Sequence, residues 1–321
     1  MVQNLNLQAL FTSDKEAFML DQRAQMFING KFVEAESKQT YEVRNPADGN
    51  IVGIVPNAAR VDARKAVEAA DAAFRSWKSV PTKERGRLLC RVQEVLSNRV
   101  DEIARLVTLE NGLPYEEAKK EVSFGIDYFG WFAEEVRRTY SEIVPPTFSS
   151  KRYWVKQQPI GVVAAITAWN FPATMVTRKI APPRAAGCTV VLKPAPNTPL
   201  TAIAIAQAFN DAGIPPGVFN VLTTSQAEVV SEEFLTHPAV RKIAFTGSIR
   251  VGKLLMERAA TQLKSFSFEL GSNTPFIVDV GGYSHEVPFE GVKESGIGRE
   301  GGRRGIEEYM EEKSIVANLS N

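Results

Sequence analysis

Cysteine is nearly absent: the 321 residues contain Cys90 and Cys188 and no others, beside two histidines. Such a supply, with no metal-ligand spacing, excludes a disulfide framework and a zinc site and fits a reducing compartment. Net charge is equally scarce. Thirty-eight basic and 37 acidic residues leave a formal +1, which offers no electrostatic reason to expect nucleic acid or an anionic membrane as partner. No uninterrupted apolar run is long enough to span a bilayer. The opening MVQNLNLQALFTSDKEAF has acidic groups, no arginine and no cleavable apolar core, so it reads as neither a secretory signal nor a transit peptide, and a cytoplasmic protein is expected. Internal repeats and low-complexity tracts are also missing. What remains is a chain long enough for a large core and more than one lobe.

The organising stretch runs from Gly161 to Asp279: GVVAAITAWNFP, GCTVVLKPAPNTP, GVFNVL, VRKIAFTGSIRVGK and SFSFELGSNTPFIVD. Short runs rich in Val, Ile, Ala and Phe alternate with segments of helical period, the pattern of βαβ units that build a parallel sheet buried on both faces. The fold class is therefore α/β, a Rossmann-like doubly wound parallel sheet with flanking helices. Its sharpest element is Phe245-Thr246-Gly247-Ser248-Ile249-Arg250-Val251-Gly252-Lys253, a strand that runs through Gly-Ser directly into a helix. Gly247 would allow a tight turn, and the helix-start N–H groups with the Ser248 hydroxyl would suit a phosphate. The middle glycine of a dinucleotide fingerprint is lacking, so this pattern alone leaves an ordinary strand-to-helix turn equally open.

Ile166-Thr167-Ala168-Trp169-Asn170-Phe171-Pro172, Lys193-Pro194-Ala195, Phe245-Thr246-Gly247-Ser248, Glu269-Leu270-Gly271 and Pro288-Phe289-Glu290-Gly291-Val292-Lys293-Glu294-Ser295-Gly296 occur in one order along the chain. In that order they resemble the aldehyde dehydrogenase superfamily over nearly the whole length. TLENGLPYEEAKKEVS, WFAEEVRRTY, VTRKIAP and GIEEYMEEK are most similar to its bacterial succinate-semialdehyde dehydrogenase branch. The resemblance implies NADP or NAD as cofactor and an aldehyde as substrate. By position it makes Asn170 the amide that donates to the oxyanion and Glu269 the general base that activates water, roles that need a fixed donor and a carboxylate within reach. It places Lys193 at the adenosine ribose and Ser248 at the pyrophosphate, with Ile166, Thr167, Trp169, Ala195, Pro196, Gly247, Gly252 and Leu270 along the nucleotide. Pro196 stands where NAD-preferring members carry a Glu that grips the ribose hydroxyls. No carboxylate there would repel a 2′-phosphate, which favours NADP.

The family's catalytic domain, with its cysteine nucleophile, lies between ELGG and the PFGG element, whereas here Asp279 is followed by VGGYSHEV and then at once by Pro288-Phe289. Aldehyde oxidation of this kind needs a thiolate. Cys90, in RGRLLCRVQEVL, reads as a small core residue, and Cys188, in AAGCTVVLKP, as a structural one. Ser272 and Glu290 replace glycines of ELGG and PFGG, and Pro182-Pro183-Arg184 is expected to interrupt the helix after Asn170.

Five segments are expected. Residues 1–24 form a leader, and 25–140 an N-terminal hairpin with helices broken at Pro81 and at Asn111-Gly112-Leu113-Pro114; the Asn29-Gly30 pair signals the hairpin turn. The aromatics Phe124, Tyr128, Phe129, Trp131 and Phe132 are expected to pack on the sheet domain. Residues 141–158 make a hairpin which, by resemblance, joins a last strand near Glu311–Ala317 in an oligomerisation sheet. Residues 159–279 are the dinucleotide-binding core, and 280–321 the remnant of the catalytic domain with that last strand. Three functions follow as expectations: a cofactor-binding homologue without complete chemistry; an interaction protein that joins full-length family subunits, or its own copies, through retained strands; and an active dehydrogenase with an unidentified nucleophile.

Overall fold

The structure, a computed structural model, describes residues 24–272 and 284–319. Most of the expected leader and the expected boundary at 279 lie outside the described residues. β1 (Met26–Ile28) and β2 (Lys31–Val33) are joined by Asn29 and Gly30 at φ 52° and 74°, the successive left-handed pair that a two-residue hairpin turn requires. β3 (Thr40–Arg44) pairs antiparallel with β4 (Ile51–Pro56) in a separate ribbon. Four helices follow: α1 (Arg60–Trp77), α2 (Thr82–Ser97), α3 (Val100–Asn111) and α4 (Tyr115–Glu135). The breaks at Pro81 and at Gly112–Pro114 fall where glycine and proline announce them. A further break at Asn98 and Arg99 has neither residue type and leaves no such signal.

The chain then enters the hairpin β5 (Glu142–Val144) and β6 (Lys151–Pro159). Regular alternation follows: β7 (Val162–Ile166), α5 (Pro172–Ala186), β8 (Thr189–Lys193), α6 (Pro199–Asp211), β9 (Phe219–Val221), α7 (Ala227–Thr236), β10 (Val240–Gly247), α8 (Ile249–Ala259) and β11 (Ser265–Leu270). After 284 come the two-residue β12 (Gly296–Ile297), the short α9 (Arg304–Glu307) and β13 (Met310–Asn318). The main sheet has the order β12-β11-β10-β7-β8-β9-β1-β2. Its central β11, β10, β7, β8 and β9 are parallel, as the alternation predicts; β12, β1 and β2 add antiparallel margins, so the whole sheet is mixed.

The pleat explains why the central strands read as continuous apolar runs. Val163, Ala165, Val190, Leu192 and Ala244 face a core shared with α2 to α6, whereas Val162, Ala164, Ile166, Val191, Ile243 and Phe245 face one shared with α1, α7 and α8. Both faces are covered, so neither needs polar alternation.

Helix α5 corrects the expected interruption. It runs unbroken to Ala186 with Pro182 and Pro183 inside: the two prolines leave the Arg178 and Lys179 carbonyls without their i+4 donors, but every residue of the helix is buried, and that packing holds it. Gly187, at φ 101°, ends it, and the Pro183 carbonyl accepts from the N–H groups of Gly187 and Cys188 at 3.1 and 2.8 Å. Arg184 is buried, and its Nη1 donates to the Cys188 carbonyl at 2.7 Å; burial pulls its guanidinium down to about 9.

The aromatic series divides. Phe129 meets Phe209 of α6 edge-on at 5.5 Å, while Phe124, Tyr128 and Trp131 enclose His285 at 6.3, 6.1 and 5.9 Å and so hold the C-terminal segment against α4. β13 pairs with β6 along its full length, giving the three-stranded sheet β13-β6-β5.

Candidate functional site

Strand order reverses beside β7, which continues to β8 and β9 on one side and to β10 and β11 on the other. In open α/β sheets ligands bind at the carboxyl ends of strands flanking such a switch. The register aligns the candidate residues there: Ile166 lies level with Lys193 and Phe245, Thr246 with Glu269, and Gly247 with Leu270. Thr167, Trp169 and Asn170 leave β7, Ala195 and Pro196 follow β8, Ser248 and Gly252 follow β10. One edge of four neighbouring strands thus carries all of them.

Asn170 is exposed, and its side-chain amide makes no hydrogen bond to the described residues, so it is not the cap of its own loop. The Trp169 carbonyl accepts from Asn111 Nδ2 at 2.8 Å, and Thr167 N donates to the Lys193 carbonyl at 3.2 Å. Lys193 itself is only 3% exposed, yet among the described residues its Nζ donates only to the Pro194 carbonyl, at 3.0 Å; burial pulls the ammonium down to about 8. A buried ammonium has three donors, so this one retains donors for an incoming oxygen. Thr246 Oγ1, at the end of β10, is likewise buried without a partner. A cavity of about 640 Å³ opens beside the β8 end, lined in part by Trp169, Pro196, Thr198 and Ser225. A larger one, about 960 Å³, lies away from the strand ends between α2 and α4, against Cys90 and Arg137.

The Gly247 expectation needs correction. The residue does not adopt the left-handed region; it is the last residue of β10, and a Cβ there would stand 2.3 Å from Cζ of the buried Phe245 ring. Space, not turning freedom, demands glycine. Ser248 caps α8, its hydroxyl accepting from Val251 N at 3.3 Å. Gly252 lets α8 approach the end of β11, since a Cβ would meet the Leu270 methyls at 3.0 Å.

Glu269 is half-buried on β11 beside a charged cluster that no local sequence pattern announces. Burial pushes its carboxyl up to about 8, the Glu300 charge adds to the rise, and Lys179 and Arg178 oppose it. Glu300 is 2% exposed and ion-paired with the buried Lys179 and, at 3.1 Å, with Arg178. Its burial alone would raise it, but the two cations hold it below its ordinary range. Arg178 also lies 4.3 Å from the Phe289 ring centre. The two carboxyls of this cluster are thus shifted in opposite directions, Glu269 upward and Glu300 downward. Residues 121 positions apart form this cluster, and only the fold brings them together.

The profile of the aldehyde dehydrogenase family matches residues 32–282 and 279–315. This chain belongs to the aldehyde dehydrogenase family. Over 256 residues it is 46% identical both to the glutarate-semialdehyde dehydrogenase of Pseudomonas aeruginosa and to the NADP(+) succinate-semialdehyde dehydrogenase of Escherichia coli, a stretch that is 80% of this chain and 53% of each relative. The chain thus spans about half the length of the curated relatives it matches. A crystal structure of an E. coli NADP-dependent enzyme superimposes with a TM-score of 0.91 at 28% identity, covering 96% of this chain and 100% of the other.

Within this aldehyde dehydrogenase chain the cysteines stand apart from the strand ends. Cys188 is fully buried, its Sγ donates to the Tyr309 carbonyl at 3.3 Å, and burial pushes the thiol up to about 11, in keeping with a structural role. Cys90 is not a core residue: it is exposed, lying outside the stripe of Arg85, Leu88, Leu89 and Val92 that α2 buries. Among the described residues no group of three potential ligands could hold a metal, and no helix is long and apolar enough to cross a membrane.

Proposed function

We propose that this aldehyde dehydrogenase family chain binds a nicotinamide dinucleotide, NADP in preference to NAD, across the carboxyl ends of β7, β8 and β10, and that alone it does not complete aldehyde oxidation. The observation that carries the first half is the buried Lys193 ammonium with donors to spare, level with Ile166 and beside a Pro196 that offers no carboxylate. A 2′-phosphate supplies the oxygens such a cation lacks. Thr246, Gly247 and the capped start of α8 provide the adjoining phosphate-side surface. The bound nicotinamide would supply the hydride acceptor.

The second half rests on the thiols. Oxidation by the family's covalent route begins with thiolate attack on the aldehyde carbon, and neither a buried thiol held near 11 nor an exposed one on α2 meets that need at the strand ends. Asn170 and Glu269 keep the positions for oxyanion donation and water activation, and a Glu269 carboxyl near 8 is suited to exchange a proton at neutral pH. Substrates of the class named in the relatives, such as succinate semialdehyde, are the aldehydes to test. An assay of aldehyde-dependent nicotinamide reduction should show no turnover; turnover lost in Cys90→Ser or Cys188→Ser would overturn this half.

A second reading has its own observation. Sheet β13-β6-β5 exposes Ile143 and Val316 at 76 and 60%, and the loop between β5 and β6 exposes Phe148 at 59%. Apolar side chains on a sheet with uncovered margins invite association. The sheet would join copies of this chain or full-length family subunits; co-purification with such a subunit, lost in Ile143→Lys, tests it.

A further inference from the structure

Of the three helices that follow β7, β8 and β10 at the nucleotide edge, α8 is capped by its own Ser248, whereas α5 and α6 do not cap themselves. α5 follows Phe171 and α6 follows Thr198, and neither side chain accepts a hydrogen bond from the first turn. Their free N–H groups are met instead from the α3–α4 layer. Glu121 Oε1, on α4, accepts from Thr174 N at 2.6 Å, and Thr174 Oγ1 donates back to the Glu121 carbonyl at 3.0 Å. Glu110, in the last turn of α3, receives Leu200 N on Oε2 at 2.8 Å and Thr201 N on Oε1 at 2.9 Å. The next residue, Asn111, holds the Trp169 carbonyl.

The packing is built for this reach. Gly125 lies one turn beyond Glu121 on α4, and a Cβ there would stand 3.0 Å from Thr177 Oγ1 and 3.3 Å from Thr174 N, so glycine brings α4 against the first turn of α5. Glu110 and Glu121 are 2% and 7% exposed. Burying a carboxyl is unfavourable, whereas a Ser or Asp at the helix start would cap from the surface. The buried arrangement achieves what a local cap does not: it ties each loop to a separate rigid layer.

We propose that Glu121, Glu110 and Asn111 are positioning residues: α3 and α4 fix the loop from β7 to α5, which carries Trp169 and Asn170, and the loop from β8 to α6, which carries Ala195 and Pro196. Their link to function rests on the nucleotide-binding reading of this edge. Glu121→Ala removes the acceptor. Glu121→Gln keeps it, because Oε1 makes the bond while Oε2 has no partner, so an amide nitrogen fits in its place. Glu110 uses both oxygens and does not tolerate the same change.

The test combines amide hydrogen exchange with calorimetric titration of NADPH. In Glu121→Ala the amides of Ala173 to Met175 should exchange about tenfold faster, α8 and the β6–β13 ladder being unchanged, and Glu121→Gln should restore wild-type exchange. NADPH affinity should fall about five- to tenfold in Glu121→Ala and in Asn111→Ala, and recover in Glu121→Gln. Unchanged exchange at 173–175, an equal rise over the whole chain, or local loosening without loss of affinity would overturn the proposal. If the wild-type chain binds no NADPH, the nucleotide reading falls, and the exchange result alone decides whether these carboxyls hold the loops.

Discussion

The two sheets of this molecule are built in opposite ways. In the main sheet β7 and β8 are buried at every residue. In the three-stranded sheet β5 is exposed throughout and β13 nearly so. The first surface is complete within one chain and leaves only a few polar groups, Lys193 and Thr246 among them, short of partners at the strand ends. The second leaves apolar side chains in water. One offers polar donors to a small ligand; the other offers area to a polypeptide.

The largest effect should come from breaking the closed sheet at its tightest point. Gly247→Val places carbon against the buried Phe245 ring, and is expected to lower stability by about 1–3 kcal/mol and abolish measurable NADPH binding. Denaturant unfolding and titration check both. Lys193→Met should weaken NADPH binding about tenfold or more and NADH binding less, since only the former carries the extra phosphate. Equal losses for the two nucleotides would remove Lys193 from the discrimination.

Titration of the buried carboxyls sharpens the contrast next. Burial raises Glu121 from 4.5 to about 7, so the folded chain holds this proton more tightly than the unfolded one. That contribution to stability is complete below about pH 4.5 and is lost as pH rises through 7. Glu121→Gln, neutral throughout, should therefore gain stability relative to the wild type between pH 5 and 8, by an amount on the order of 1–3 kcal/mol. A constant difference across that range would show that burial does not control this group. The smallest effect belongs to the open sheet: Val316→Lys should change unfolding by no more than about 0.5 kcal/mol while lowering the assembled mass in sedimentation.

Much of the main sheet is legible in the sequence because strands buried on both faces leave uninterrupted Val, Ile and Ala runs, and the motif residues sit at their ends. The hairpin turn is legible too, since Asn29-Gly30 adopts the geometry its type favours. Three things are not. Pro182 and Pro183 look like helix breakers, yet the helix continues through them because its whole length is packed inside the molecule. Cys90 looks like core because Leu88 and Leu89 flank it, yet the helical phase turns it outward. The pairing of Glu300 with Lys179 beside Glu269 and the caps from Glu110 and Glu121 depend on contacts between distant segments, which no local sequence pattern announces.

The central claim is that the nucleotide edge is intact in a chain without a placed thiol. Calorimetric titration of the purified wild-type chain with NADPH and NADH tests it most directly. The account predicts saturable one-site binding, tighter for NADPH. Absence of heat with either nucleotide, beside a folded circular dichroism spectrum, would contradict it.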